Sequence, residues 1–258
     1  MCFPLSLVPI CGLVYVSTLP APRNLADCYA EAAYDSGEEA RFAAKTYFRL
    51  LRPWLASLPV KRRAVDIGTG NGALLSLLLA DGVKEVLGIE PSHTAIAAAP
   101  AEIRPYIRQG MFSVDLLEGA QPDLVCAFQT LEHVDAPLAI LRDIHATLRP
   151  GGAVALTVHN WQAQLNRILG RRLPIIDIEH LQLFNKNSLH RLFQESSFTP
   201  ATIHSFCNTY PLKYWLRLLP LPSRLKRRIT ASIEAVGLSR LPVTLPVGNL
   251  FAVGIKEK

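Results

Sequence analysis

The sequence has few cysteines, and their spacing excludes one class of fold. Five occur in 258 residues, without the spacing of a disulfide framework: Cys2, Cys11, Cys28, Cys126 and Cys207. Disulfide-rich scaffolds are typical of small secreted chains, whereas scattered cysteines favour reduced thiols inside the cell. We therefore expect free thiols and a cytoplasmic protein.

The sequence also lacks a run that predicts export. Residues 5–16 are apolar, but Pro9 interrupts them and no Lys or Arg precedes Arg23. A signal peptide needs a basic start and an unbroken apolar stretch. No internal repeat is visible, and half of the residues are hydrophobic, so we expect one α/β domain with a full core.

Acidic residues are absent from Ser196 to Ile233, in a chain of net charge +6. A segment that is basic and aromatic can lie on an anionic membrane, receive an anionic substrate or bind RNA. It can equally cap a substrate pocket while its basic side meets water. The charges, with Pro220 and Pro222, exclude a membrane-spanning helix in this segment.

The most informative motif follows a short β-branched run that starts at Val65. Three glycines occur at alternate positions, Gly68, Gly70 and Gly72, and a leucine-rich helical segment comes next. A strand, a tight turn and a helix N-terminus are the usual means of bringing backbone close to a nucleotide. Asp66 lies at the mouth of this turn, two residues before the first glycine.

Asp66 discriminates between two ligands that such a turn can bind. Gly68, Gly70 and Ala73 satisfy the relaxed dinucleotide fingerprint, so NAD is one candidate. Its pyrophosphate would lie near Asp66, and two like charges about 4 Å apart cost roughly 4 kcal/mol at an effective dielectric near 20. S-adenosylmethionine instead carries a cationic sulfonium and amino group, which a carboxylate attracts. The structural alternative is that Asp66 caps the following helix.

A second acid indicates that the ligand contains a ribose. Residues 85–90 predict a strand, and its last residue, Glu90, follows Gly68 by about the twenty residues expected of a ribose-binding acid. The Glu90 carboxylate could accept from both ribose hydroxyls. Ser92 then predicts the N-cap of another helix. The alternative is that Glu90 is simply a solvated acid at the end of a strand.

Four motifs occur in the order and at the spacing of a known family. They are residues 66–72, 88–92, 131–134 and 148–152. On these motifs the chain resembles the class I S-adenosylmethionine-dependent methyltransferases, in particular the small-molecule enzymes related to quinone-biosynthesis methyltransferases. The resemblance covers roughly residues 11–206, and residues 248–256 resemble the last strand of that fold.

The expected fold is α/β and Rossmann-like. Alternating strands and helices predict right-handed crossovers and a mostly parallel sheet, with ligands beyond the carboxyl ends of its strands. The resemblance implies seven strands, helices on both faces and a late antiparallel strand. Beyond the glycine motif and residues 85–90, the predicted strands are 103–108, 123–128, 153–158 and 250–255, and the predicted helices are 38–58, as a lid over the cofactor cleft, and 137–148.

We expect four segments along the chain. They are a degenerate N-terminal extension and linker (1–36), the S-adenosylmethionine-binding core (37–206), a basic aromatic cap segment (207–247), and the last core strand with a tail (248–258). The first segment resembles the end of a zinc-knuckle extension. Val8 stands where the partner of Cys11 is expected, so we predict no metal there.

The resemblance implies further contacts to the cofactor, with departures from the family pattern. Met111 takes the place of an acid that contacts the adenine, and we expect Met111 and Phe112 to make apolar contact instead, although core packing would equally explain Phe112. Relatives carry a Glu-x-x-Glu-His metal-binding run. Gln129 replaces its first acid here, so we predict no metal and place Gln129 beside the cofactor.

Two histidines are candidate catalytic residues. His133 follows the fourth strand and His180 lies on the side of the methyl acceptor, and a histidine is suited to take a proton near neutral pH. His159, after the fifth strand, is expected at the same rim. The alternative for each histidine is a structural role in its loop.

The sequence therefore predicts methyl transfer from S-adenosylmethionine to a small or lipid-linked acceptor, with oxygen favoured over nitrogen. The rivals are an NAD- or nucleotide-sugar-binding oxidoreductase, which lacks a Tyr-x-x-x-Lys pair here, and a non-catalytic S-adenosylmethionine-binding regulatory subunit. We expect no nucleic-acid partner. We expect residues 211–229 to cover the acceptor site and to contact anionic membranes peripherally, with Trp215 and Leu216 inserting.

Overall fold

The computed structural model describes residues 5–17, 37–58, 61–164, 166, 180–219 and 221–257. The helices are α1 Gly37–Ser57, α2 Ala73–Ala80, α3 His93–Ala97, α4 Pro137–Thr147, α5 Lys186–Glu195, α6 Leu212–Leu218 and α7 Ser223–Ala235. The strands are β1 Leu5–Leu7, β2 Val14–Val16, β3 Arg63–Ile67, β4 Glu85–Glu90, β5 Ile107–Gln109, β6 Leu124–Phe128, β7 Ala153–His159, β8 Gln182–Leu183, β9 Thr199–Pro211 and β10 Pro242–Ile255.

Seven strands form the main sheet, in the order β5-β4-β3-β6-β7-β10-β9. The first five are parallel neighbours, and β10 pairs antiparallel with both β7 and β9. This order confirms the predicted Rossmann-like α/β fold with a late antiparallel strand. It also brings the carboxyl ends of β3, β4 and β6 to one edge, which we call the rim.

Helices cover both faces of this sheet, as predicted. On one face, α4 and α5 bury residues such as Leu141 and Phe193 against β3, β6 and β7. On the other face, α1 and α2 bury Leu51 and Leu75. Burial on both faces explains why the central strands are almost continuously apolar, with Asp66 and Thr157 as their buried polar residues.

Helix α1 begins one residue before the predicted start and ends one residue before the predicted end. It packs on α2 and β9 and buries Tyr47, Leu51 and Leu55. The Lys213 ammonium at the start of α6 forms an ion pair with Glu38 in the first turn of α1. Helix α1 is thus held against the sheet and against the C-terminal helices. Its role as a lid stays a prediction.

One predicted strand is wrong over most of its length. Residues 103–108 were expected to be extended, but Arg104–Tyr106 form a 3₁₀ turn and the strand covers only Ile107–Gln109. Pro105 explains the difference because it has no N–H to donate to a ladder and its ring restricts φ. Ile103 contributes to the core instead.

The N-terminal residues form a small sheet of their own. Strands β1 and β2 make an antiparallel hairpin, and β2 pairs with β8. The Gly12 carbonyl accepts from Trp161 Nε1 at 3.0 Å and from Asn185 Nδ2 at 2.7 Å, which attaches the hairpin to the main domain. The expected linker up to residue 36 lies largely outside the described residues.

The predicted cap segment, residues 207–247, begins and ends within the sheet. Strand β9 continues to Pro211 and β10 already starts at Pro242. Only α6, α7 and their connections project from the sheet. Across the described parts of the chain, no helix combines the length and apolar character needed to cross a bilayer.

Candidate cofactor site and histidine cluster

The glycine turn connects β3 to α2 at the rim. Gly68, Gly70 and Gly72 have φ angles of 72°, 57° and 72°, in the left-handed region that favours glycine. A Cβ on Gly68 would lie 2.5 Å from Thr130 Oγ1, which is closer than real Cβ contacts. The turn therefore needs glycine both for its backbone conformation and for its close approach to the loop after β6.

Glu90 holds this turn in place. Its Oε2 accepts from Gly70 N at 2.7 Å and its Oε1 accepts from Ser92 N at 2.9 Å. The Ser92 hydroxyl in turn accepts from Ala95 N, which confirms the predicted N-cap of α3. The sequence predicted Glu90 as a ribose ligand and did not foresee this anchoring role. Each carboxylate oxygen keeps a second lone pair for a ribose hydroxyl, so that role stays a prediction.

Asp66 is a buried acid beside a second buried acid. It is 4% exposed and Glu90 is 8% exposed. The pKa of Asp66 is raised to about 7, chiefly because the acid is buried; the Thr69 hydroxyl opposes the shift and the charge of Glu90 adds to it. Burial likewise raises the pKa of Glu90, against the two backbone hydrogen bonds that it accepts.

This arrangement fits S-adenosylmethionine. A cationic ligand would stabilise the ionised form of Asp66, whereas an anionic pyrophosphate would add a like charge. The Asn71 amide oxygen in the same turn is buried and has no hydrogen-bond partner among the described residues. An orphaned acceptor in a tight glycine turn is consistent with a ligand that donates hydrogen bonds there.

Met111 and Phe112, the predicted adenine contacts, differ in their surroundings. Met111 follows β5 and is 40% exposed at the rim side of the sheet. Phe112 is half-buried and packs against the core on the α4 and α5 face. Met111 is thus available to a ligand, and Phe112 has at least the packing role that the sequence left open.

Gln129 occupies a constrained position directly after β6. Its φ is 54°, which is uncommon for a residue other than glycine. Its backbone N–H donates to Thr157 O at 2.9 Å, and its side-chain Nε2 lies 3.4 Å from Thr157 Oγ1. The loop that carries Gln129 at the rim is therefore fixed to β7.

Glu132 is the most deeply buried acid at the rim. It is fully buried, and its Oε1 accepts from His159 N at 2.7 Å and lies 3.1 Å from His159 Nδ1. Although burial opposes it, the hydrogen bond and charge of His159 hold the pKa of Glu132 below its ordinary value. Glu132 Oε2 is also buried, without a partner among the described residues.

Three histidine rings pack in a row that begins at the partner of this carboxylate, His159. The ring centroids of His133 and His180 are 4.7 Å apart, and those of His159 and His180 are 5.3 Å apart. We call Glu132, His133, His159 and His180 the histidine cluster. The structure thus brings together the two predicted catalytic histidines. The sequence placed His159 at the rim but did not identify its partner, because these residues are 27 positions apart.

Tyr47 of α1 is a neighbour of this cluster that the sequence placed only in the hydrophobic stripe of its helix. It is buried, with its ring centroid 5.1 Å from that of Phe128. Burial raises the pKa of Tyr47 strongly, and the charge of Glu132 contributes. Within the part of the chain that the structure describes, no three His, Cys, Asp or Glu side chains are placed to hold a metal ion.

Comparison with known proteins identifies the family. Residues 39–203 match a family described as a methyltransferase domain. A tRNA U34 carboxymethyltransferase of Saccharophagus degradans is 30% identical over 134 residues, which cover 45% of this chain and 38% of that protein. A ubiquinone biosynthesis O-methyltransferase of a Bradyrhizobium species (strain ORS 278) is 32% identical over 118 residues, covering 42% of this chain and 45% of that protein.

A solved structure agrees at the level of the fold. The crystal structure of a SAM-dependent methyltransferase from Archaeoglobus fulgidus superposes with a TM-score of 0.56 at 16% identity, covering 83% of this chain and 94% of that one. The chain spans less than half the length of the two curated relatives. The family match, the sheet order and the acids at the glycine turn agree: the chain belongs to the methyltransferase domain family, with S-adenosylmethionine as its cofactor.

Proposed function

We propose that the protein transfers a methyl group from S-adenosylmethionine to an oxygen atom of a small or lipid-linked acceptor. The observation that carries this proposal is the histidine cluster at the rim. An alcohol or phenol must lose its proton as the new bond forms, and a histidine is suited to take that proton near neutral pH. The relative described as an O-methyltransferase of ubiquinone biosynthesis supports the same chemistry.

The residues of the glycine turn bind and orient the cofactor. Asp66 attracts its cationic groups, Glu90 accepts from the ribose, and the backbone of Gly68, Gly70 and Gly72 permits close approach. Met111, Phe112 and Gln129 complete the contacts around the base and the rim. When bound, S-adenosylmethionine supplies a methyl carbon already activated by the sulfonium, so the protein contributes mainly proximity and alignment.

The residues of the histidine cluster have two roles: some position the rings, and one removes the proton of the acceptor. Glu132 fixes His159 by accepting its backbone N–H and lying at hydrogen-bond distance from Nδ1, which favours the tautomer protonated on Nδ1. The His159 ring packs on His180, which packs on His133. We assign the removal of the acceptor proton to His133 or His180, and the positioning of these rings to Glu132 and His159.

A labelling experiment tests the proposal. The protein is incubated with S-adenosylmethionine carrying a labelled methyl group and four acceptors: catechol, a polyprenylated catechol, the matched aromatic amine and bulk tRNA. We expect label on a phenolic oxygen, with the polyprenylated compound at least as good as catechol. Label on the amine or on tRNA alone would contradict transfer to oxygen of a small or lipid-linked acceptor.

A further inference from the structure

We propose that α7 and the residues beside it form a docking surface for an anionic lipid bilayer. We define the basic face as Arg224, Arg227 and Arg228 on α7, together with the exposed apolar residues around them. The surface lies outside the cofactor site, and its binding can be measured without knowing the methyl acceptor. Three features of the described residues carry the proposal: unpaired charge, exposed apolar side chains and weak packing.

Among the described residues, the arginines of α7 have no partner of opposite charge. Lys213 and Arg240 pair with Glu38, and Lys226 donates to the Arg217 carbonyl at 2.6 Å. The guanidinium groups of Arg224, Arg227 and Arg228 make no ion pair among the described residues. They are exposed, and they line an open surface depression of about 570 Å³ together with Pro222 and Leu225. A concentration of unpaired positive charge is complementary to anionic head groups.

Large apolar side chains are exposed around these charges. Half of the fourteen large apolar residues that are exposed in the described structure lie between residues 218 and 245. They are Leu218, Leu219, Leu225, Val236, Leu238, Leu241 and Leu245. Apolar residues at positions 225, 229 and 233 of α7, with Val236 at its C-cap, follow helical spacing and form one stripe. A stripe bordered by Arg and Lys is the pattern of a helix that lies in a membrane interface.

Helix α7 contributes nothing to the core. None of its described residues is buried, and its packing within the fold is mainly against α6. A 13-residue helix with a basic, partly apolar surface is therefore maintained without a packing function. Burial of its apolar stripe in a bilayer interface would give that surface a partner.

The predicted inserting aromatic residue is not available. Trp215 is 8% exposed, and its Nε1 donates to Val243 O at 2.9 Å. The ring centroids of Tyr210 and Tyr214 are 4.2 Å apart, so these rings pack on each other. Apolar insertion thus falls to the leucines rather than to Trp215. The same packing argues against single-stranded RNA, because bases stack on exposed aromatic rings.

The docking surface is connected to the proposed lid. The ion pair between Lys213 and Glu38 joins the start of α6 to the start of α1, and Tyr47 of α1 packs on Phe128 at the end of β6, the strand that leads into the histidine cluster. Docking through α7 would hold this side of the molecule at the bilayer, from which a lipid-linked acceptor would reach the rim.

Vesicle binding tests the proposal directly. The full chain is co-sedimented with vesicles of phosphatidylcholine alone and with one-quarter phosphatidylglycerol, at low and high salt. We expect binding to the anionic vesicles that high salt reverses. Arg227→Gln with Arg228→Gln should weaken it about 30-fold, from the usual contribution of two basic residues near an anionic surface. Leu225→Gln should weaken binding several-fold while leaving its salt dependence unchanged.

The matched control removes the same charge elsewhere. Lys84→Gln with Lys186→Gln, at two exposed positions outside the basic face, should bind anionic vesicles like the wild type. Equal binding of S-adenosylmethionine by all variants shows that they are folded. Equal loss in the control variant, no binding to anionic vesicles at low salt, or binding to bulk tRNA without binding to vesicles would each overturn the proposal. Loss of S-adenosylmethionine binding by the wild type would instead contradict the cofactor site.

Discussion

The cofactor rim and the basic face keep their charges in opposite environments. At the rim, Asp66, Glu90 and Glu132 are at most 8% exposed, and two of them titrate above their ordinary range. On α7, the arginines are exposed and form no ion pair within the described part of the chain. Burying a carboxylate is costly unless hydrogen bonds or a ligand compensate, whereas an exposed arginine costs almost nothing. The buried acids of the rim thus favour a cationic ligand before that ligand binds. The exposed arginines of the basic face allow an anionic partner to bind but do not require one.

This difference determines which substitutions should matter. Changes at the rim should alter binding, catalysis and stability, because each buried group has specific partners. Changes on the basic face should alter only association with a surface.

The largest effect is expected at His133. His133→Asn should lower kcat by about 10²- to 10⁴-fold, the usual contribution of a general base, while the affinity for S-adenosylmethionine stays the same. Single-turnover kinetics and a cofactor titration separate these two quantities. His190→Asn, an exposed histidine on α5, is the control and should be unaffected. Unchanged turnover in His133→Asn would leave His180 as the base, and unchanged turnover in both single variants would contradict the role of the cluster.

Asp66→Asn should weaken binding of the cofactor and should stabilise the ligand-free protein. Loss of a charged contact should reduce affinity by about 1.5–3 kcal/mol. The raised pKa of the acid means that its ionisation destabilises the fold, an effect absent below about pH 4 and complete above about pH 7. At pH 8 the free energy of unfolding of the variant should therefore exceed that of the wild type by at most about 4 kcal/mol. Urea unfolding at pH 4 and pH 8 measures this, and lower stability at pH 8 would show that Asp66 is structural.

Glu90→Gln should weaken cofactor binding and also destabilise the protein, because the hydrogen bond that is lost outweighs the gain from removing a buried charge whose pKa is raised. Its two oxygens accept from Gly70 N and Ser92 N, and an amide can offer an acceptor to only one of them. Leaving one buried N–H unpaired costs about 1–3 kcal/mol. Thermal unfolding of the ligand-free protein distinguishes this variant from Asp66→Asn, because the two should shift in opposite directions at pH 8. If the unfolding temperatures of both variants shifted in the same direction, Glu90 would not differ from Asp66 in anchoring the turn.

The smallest effect is expected on α7. Arg227→Gln with Arg228→Gln should change the free energy of unfolding by less than about 0.5 kcal/mol, since exposed residues without partners contribute little. Urea unfolding measures it at neutral pH. A larger loss would mean that these arginines have a structural role, and the contrast between rim and basic face would fail.

The sequence predicted where the acids and glycines of the rim lie, because that pattern is local, and their contacts to the cofactor stay predictions. Asp66, the three glycines and Glu90 lie in two strand ends and one turn, where short motifs determine both backbone and side-chain position. The pair of Glu132 and His159 could not be predicted in this way, since it joins the loop after β6 to the last residue of β7, and only the parallel pairing of these strands brings the two together. No local pattern specifies that contact.

Strands at the edges of the sheet, β5 and β9, and the neighbouring β10 were predicted less well. The predicted last strand, residues 250–255, is the buried half of β10, which starts at Pro242. Strand β9, Thr199–Pro211, was not predicted, because polar residues interrupt its apolar ones and its pairing with β10 is long-range. Pro105 explains the error in β5. Buried central strands carry a strong apolar pattern, and edge strands do not.

If the buried acids of the rim favour a cationic ligand, cofactor binding must depend on the ionisation of Asp66, and therefore on pH. Calorimetry from pH 5.5 to 8.5 should show affinity for S-adenosylmethionine falling by up to about tenfold per pH unit below the Asp66 pKa of about 7, with protons released on binding. Asp66→Asn should bind more weakly and lose most of this dependence, and NAD should not compete. Affinity of the wild type that is independent of pH, or tight binding of NAD without S-adenosylmethionine, would contradict the account.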